Sequence, residues 1–208
     1  MKKLISVVIA VLMLAAFSAC GDKNSETSSS PTDVSPGDIE ILDPTPTPEP
    51  QPVSELSICG IPIVTNGQPT GIGYQGVEYA DGVLTLDGLD IVADYGSVNA
   101  IYFLGDLEIV VNGENTVTTE NGKTAILGEL AEDESTSNLV ISGDGSLTVS
   151  ADDAYGLVCS GSVNVTCGAL DITGTQGAVG LIDGELILGD GLSEIENTDT
   201  HISIGPAA

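Results

Sequence analysis

The stretch NLVISGDGSLTVSADDAYGLVCSG, Asn138 to Gly161, holds three pairs of apolar residues: Leu139/Ile141, Leu147/Val149 and Leu157/Cys159. One residue splits each pair, and turn-forming segments (SGDGS, SADDAYG) separate the pairs. Successive side chains of a strand point to opposite faces, so each pair marks a short strand with one buried face. The paired residues read as wall rather than as chemistry.

The unit recurs. Its first inward residue falls at Leu84, Leu107, Leu139, Val163 and Leu186, in steps of 23, 32, 24 and 23 residues. A turn follows, then a second inward set: Leu89/Ile91, Val117 alone, Leu147/Val149, and Leu170/Ile172. The third strand of each unit pairs a small residue with an aliphatic one: Ala100-Ile101, Ala125-Ile126, Gly156-Leu157, Gly180-Leu181. One such unit cannot bury its apolar face alone, whereas stacked units share a core. The expected fold is all-β, a right-handed parallel β-helix of about five coils with about 23 residues per coil. A β-sandwich also suits short strands at this spacing. The small-plus-aliphatic register on every third strand favours the helix. The surplus of the longest unit, Glu129 to Ser137, has four acids in nine residues and is expected to bulge out as a solvated loop. Open strand edges need covering. Val53 to Ala80 is expected to cap one end, and the less regular LSEIENTDTHISIGPAA lies at the other.

Outside the repeat the chain changes character. Lys2 and Lys3 precede an apolar run from Leu4 to Ala16, broken only by Ser6, and Phe17-Ser18-Ala19 lead to Cys20. Residues 1–19 therefore read as a signal peptide. The run is too short to favour a retained membrane-spanning helix, which needs about 20 apolar residues. Small residues directly before a cysteine resemble a bacterial lipoprotein signal, which makes Cys20 the lipidated N-terminus of the mature chain. Ordinary secretion, with Cys20 a bystander, is the alternative. Residues 20–52 are rich in Ser, Thr, Pro and acid, and are expected to form a disordered stalk ending in a polyproline spacer, PTPTPEPQP. Residues 53–208 are the expected folded domain, on a cell-surface protein held to the membrane by its lipid alone.

The formal net charge is −27, with no arginine. Loss of residues 1–19 leaves 31 acids against Lys23 and Lys123, a charge of −29. Phosphate contacts need Lys and Arg, so nucleic acid is excluded as a natural partner. GIGYQG, Gly71 to Gly76, matches the dinucleotide fingerprint, but NGQPT precedes it and strand-like VEYADGVLTL follows, so it reads as a glycine-rich loop. With His201 the sole histidine, neither a zinc site nor a Ser/His or Cys/His nucleophile can be assembled. Cys159 and Cys167 fall on inward positions and read as small apolar residues; a disulfide between them stays open at this level. Acid pairs able to hydrolyse a glycosidic bond are too many to select, among them Asp152-Asp153, Asp94 and Glu108.

Two binding chemistries remain. Calcium takes six to eight oxygen ligands, which acidic turns on successive coils can supply. Asp94, Asp152 and Asp153 share one corner of the repeat, and Asp144 lies at another with Asp87, Glu114 and Asp190. Sugars stack on exposed rings, and Tyr95, Tyr102 and Tyr155 are the candidates. Tyrosines packing on a neighbouring coil are the competing account. The outward residues of the first strands, Thr85, Glu108, Val140, Asn164 and Ile187, form no aromatic stripe.

DGVLTLDGLDI, AIYFLGDLEIVVNGENTVT and NLVISGDGSLTVSADDAYGLVCSGSVNVT resemble the short parallel β-helix carbohydrate-binding domains on the surfaces of anaerobic, mostly Gram-positive bacteria, related in fold to polysaccharide lyases. The resemblance covers about Val77 to Gly189. It implies a calcium-binding, glycan-binding β-helix, with cellulose or acidic pectic sugars as ligand class. The expected function is a non-catalytic carbohydrate-binding surface lipoprotein. A structural or adhesive module is the alternative, and a lyase or hydrolase the weakest reading, because Lys123 and His201 are the domain's only basic residues.

Overall fold

The computed structural model describes residues 50–207. The expected signal peptide, Cys20 and the stalk as far as Glu49 lie outside the described residues. Among the described residues there is no helix.

Four strands come first: β1 (Glu55–Ile58), β2 (Ile61–Thr65), β3 (Gln68–Pro69) and β4 (Val77–Ala80). The repeat supplies β5 (Val83–Asp87), β6 (Asp90–Ala93), β7 (Ile101–Leu104), β8 (Leu107–Asn112), β9 (Glu114–Thr119) and β10 (Ile126–Gly128). It continues with β11 (Leu139–Ser142), β12 (Ser146–Ala151), β13 (Tyr155–Cys159), β14 (Val163–Val165), β15 (Ala169–Gly174), β16 (Gly177–Leu181) and β17 (Leu186–Leu188). β18 (Leu192–Asn197) and β19 (His201–Pro206) end the chain.

The chain visits three sheets in rotation. The first sheet has the order β16-β13-β10-β7-β1-β2-β3, the second β17-β14-β11-β8-β5-β4, and the third β18-β19-β15-β12-β9-β6. From β5 to β17, each strand's sheet neighbour is the strand three elements away, and every such pairing is parallel. This arrangement is compatible with a β-helix.

Strict register stacks like on like. Leu107, Leu139 and Val163 align in one buried row of the second sheet, and Ile109, Ile141 and Val165 in the next. The third sheet adds Ile91, Val117, Val149 and Ile172, and the first adds Ile101, Ile126 and Leu157. All of these are essentially sealed from solvent. Burying one such side chain stabilises by about 1.5–3 kcal/mol, which is why the pairs recur. Phe103 fills the core beside Gly128, where any Cβ would collide with its ring.

Two registers differ from the spacing. Leu84 and Leu86 pair with Ile109 and Val111, not with Leu107 and Ile109. A period-two pattern fixes the face but not a slip of two residues, and β8 offers three inward residues for the two of β5. On β16 the small-plus-aliphatic pair facing Gly156-Leu157 is Ala178-Val179, with Gly180 facing outward beside Val158.

The inward set of the third sheet also includes two polar residues. Asn115, in line with Leu147, accepts from the Leu89 N–H at 3.0 Å and donates to the Asn112 carbonyl at 3.0 Å. Buried Thr119 donates to the Lys123 carbonyl at 2.5 Å. Buried polar groups persist where such partners exist.

Antiparallel strands cover two of the three sheets at the N-terminal end and one, the third, at the other. β1 pairs with β7 and β2, and β4 with β5, so the expected cap between Val53 and Ala80 is built of hairpins. At the other end β19 runs antiparallel on β15 and β18 on β19. The loop between β10 and β11 holds Glu129, Glu132, Asp133 and Glu134 in solvent, as its composition predicts, while Ser137 at its base is buried.

Candidate functional site

A groove of about 620 Å³ lies where the N-terminal cap meets the outer surface of the second sheet. Ligand sites commonly fall within roughly 300–1,000 Å³ and combine apolar walls with a few polar groups. Here Tyr79, Val83, Val140, Pro52 and Pro69 supply apolar surface, and Asp81, Asp106, Glu108 and Asn138 the polar groups.

Local chemistry builds each wall. Asp81-Gly82 joins β4 to β5 with both residues at positive φ, 51° and 84°. Asp-Gly is the favoured pair for a two-residue turn of this twist, and it sets Tyr79 opposite Leu84. Burial raises the Tyr79 phenol above its ordinary pKa. Glu108 and Val140 are paired neighbours on the outward face of the second sheet, and Val83 pairs with Glu108 on its other side.

Asp106 ties the walls together. Its N–H donates to the Gln51 carbonyl at 2.7 Å, and its Oδ2 accepts from the Gln51 N–H at 2.8 Å. Its Oδ1 accepts from the N–H and Nδ2 of Asn138, at 3.0 and 2.8 Å. Next to it, Gly105 sits at a φ of 92° with its α-carbon against the Pro52 carbonyl, a place no side chain could occupy. The Glu108 Oε1 accepts from Ser142 Oγ at 2.6 Å.

None of the three expected sugar-stacking tyrosines lines this groove. Tyr95 is 65% exposed on the turn after β6. Tyr102 faces outward on β7 but is half-buried, and its hydroxyl donates to Glu129 Oε2 at 2.9 Å. Burial first, and then this carboxylate, push its pKa up to about 12. Tyr155 lays its ring against Gly177 of the neighbouring strand, the packing role that competes with sugar stacking.

The four candidate metal ligands divide between two places. Asp94 and Asp152 follow β6 and β12 at one corner, with Glu120 on the layer between them. Asp153 adjoins them at a φ of 57°. Asp144 precedes β12 at its other end, roughly 20 Å away at strand rise, where it shares a shallow depression with Glu114. The four thus do not fit a single calcium site. Among the described residues no three His, Cys, Asp or Glu side chains converge to hold a metal ion.

Among the described residues the cysteines, Cys59, Cys159 and Cys167, are buried free thiols. Cys159 Sγ donates to the Ser137 carbonyl at 2.9 Å, and burial pushes its pKa up to about 11. Cys167 Sγ donates to the Ala169 carbonyl at 3.4 Å. Burial raises its pKa as well. A neutral buried thiol is a poor nucleophile.

Sequence reasoning missed Tyr79 and Asp81 as site residues. The signal was present in VEYADGVLTL: an Asp-Gly pair between two alternating runs predicts a hairpin, and that hairpin joins Tyr79 and Asp81 to the edge of the second sheet. Comparison of the chain with protein-family models, with curated proteins and with solved structures finds no match in any of the three.

Proposed function

We propose that the chain is a non-catalytic carbohydrate-binding lipoprotein of the bacterial cell surface, anchored through Cys20, whose three sheets form a right-handed parallel β-helix. The observation that carries the binding reading is the groove, where an aromatic ring, apolar walls and a few fixed polar groups meet in a volume suited to a short glycan. The handedness follows from the general rule that crossovers between parallel strands of one sheet are right-handed. The non-catalytic reading is supported by a lining without His, Cys or Lys and by an Asp106 carboxylate committed to Gln51 and Asn138. Asp81 and Glu108 are the pair a hydrolase would need, so release of reducing ends from an oligomer would overturn this part of the reading. Cellulose-like or pectic chains, with Ca²⁺ assisting an acidic one, are the ligands that the family resemblance implies and are therefore the first to try.

Calorimetric titration of the full-length protein tests this, with cellulose oligomers and polygalacturonate oligomers, first chelated and then with Ca²⁺. Saturable heat with either oligomer supports the reading. No heat with any sugar, together with no retention on insoluble polysaccharide, sinks it.

A structural or adhesive module is the second reading. The outward row Glu108, Val140, Asn164 and Ile187 favours it, since it offers no aromatic ladder for a long glycan.

A further inference from the structure

We infer that the groove selects an oligosaccharide bearing free amino groups, of the glucosamine type, over neutral and uronic acid chains; this rests on the reading of the groove as a glycan site. The argument is one of charge complementarity inside a shaped, partly apolar cavity.

Three carboxylates line the groove, and they are not equivalent. Asp106 is consumed, with Oδ1 held by two donors from Asn138 and Oδ2 by Gln51. Glu108 has one oxygen engaged by Ser142 and a second to offer. Asp81, at the tip of the β4–β5 turn, accepts no side-chain hydrogen bond among the described residues. The groove therefore presents two carboxylates, Asp81 at the β4–β5 turn and Glu108 beside Val83 on the outward face of the sheet.

No cation among the described residues balances them. Among the described residues the basic side chains are Lys123 and His201, and neither lines the groove. His201 lies between Asp171 and Glu196, at 3.0 and 3.3 Å. A uronic acid chain would set its carboxylates against Asp81 and Glu108, an arrangement of like charges that disfavours the complex. A neutral chain would meet the apolar walls but leave the carboxylates with hydroxyl donors only. An ammonium group on the sugar gives them charge-assisted hydrogen bonds, roughly twice as strong as neutral ones.

The test titrates chelated full-length protein, in mildly acidic buffer, with oligomers of glucosamine, N-acetylglucosamine, glucose and galacturonate. The key variant is the double substitution Asp81→Asn with Glu108→Gln. Asn tolerates the positive φ of residue 81, and Gln keeps an acceptor for Ser142. A protein this acidic attracts any polycation, so a control variant, Glu185→Gln with Asp199→Asn, removes the same charge from exposed turns off the groove. Glucosamine oligomers should bind at least about tenfold more tightly than acetylated ones. The groove variant should lose about tenfold, and the control should keep its affinity. Equal losses in the two variants would overturn the inference, because bulk charge would then explain the binding. Neutral or galacturonate oligomers binding as tightly as glucosamine oligomers would also overturn it, while leaving the glycan site standing. Binding of no oligomer at all would remove both the inference and the reading beneath it.

Discussion

The N–H of Ser137 donates to the hydroxyl of Ser160 at 2.8 Å, and both residues are fully buried. Each hydroxyl donates in turn to the Glu129 carbonyl, at 2.6 Å from Ser137 and 3.1 Å from Ser160. The Gly105 N–H donates to Ser137 Oγ at 2.9 Å. Two serines thus latch the base of the acidic loop to three successive layers of the first sheet's edge. A buried donor or acceptor stripped of its partner costs about 1–3 kcal/mol. Ser137→Ala, which strands the Gly105 N–H, is expected to lower stability by about that amount in urea unfolding. Glu134→Gly at the loop tip, where φ is 66°, should be neutral or slightly stabilising.

Gly128 and Phe103 occupy one another's space in the core. Gly128→Ala is expected to cost about 1–3 kcal/mol by overpacking. Combining it with Phe103→Leu should recover part of the loss, because the ring tip is what the new methyl strikes. Thermal unfolding of the two single variants and the double closes the cycle, and strict additivity would sink this account.

His201 lies between Asp171 and Glu196, which hold its pKa above the ordinary value of 6.5; Asp171 is the larger cause. A pKa raised by folding contributes stability that is fully present below the unfolded-state pKa and is lost as pH rises through the folded-state pKa. The β18–β19 hairpin should therefore be best protected in mild acid and less so toward neutral and alkaline pH. Hydrogen exchange of its amides, corrected for intrinsic rates, should show this slope, and His201→Gln should flatten it.

Cys159 is sealed, neutral and hydrogen-bonded to Ser137. Thiol reagents at neutral pH should leave it unmodified in the native protein and modify it once urea is added. Intact-mass analysis without reductant should find Cys59, Cys159 and Cys167 all as thiols. A Cys159–Cys167 crosslink would contradict the structure.

How much of this was legible in the sequence depends on which physical rule was in play. Alternation placed Leu139, Ile141, Leu147 and Val149 on the inner face without error, because burial strongly penalises a one-residue slip. It could not tell Leu107 from Ile109 as the partner of Leu84, since both satisfy the same alternation. Asn115 and Thr119 were invisible to a hydrophobic pattern, because each is admitted to the interior only by backbone groups that the fold brings to it. For the site, Glu108 was visible as one acid among many. What singled it out was its row beside Val140 and Val83, with Asp81 on the turn that leads into Val83, and that is a matter of which strands become neighbours.

The closing strands β18 and β19 have a meaning for length as well as for edges. Within the stack each layer offers the next nearly the same apolar rows, so nothing in the core says where to stop; antiparallel β19 does that in the third sheet. Size is then set by its terminators, as with a zip fastener cut to length between two stops. A duplicate of Asn138–Gly161 inserted after Gly161 should be accepted as one more tier, lengthening the domain by about 4.8 Å while leaving both ends and the groove unchanged.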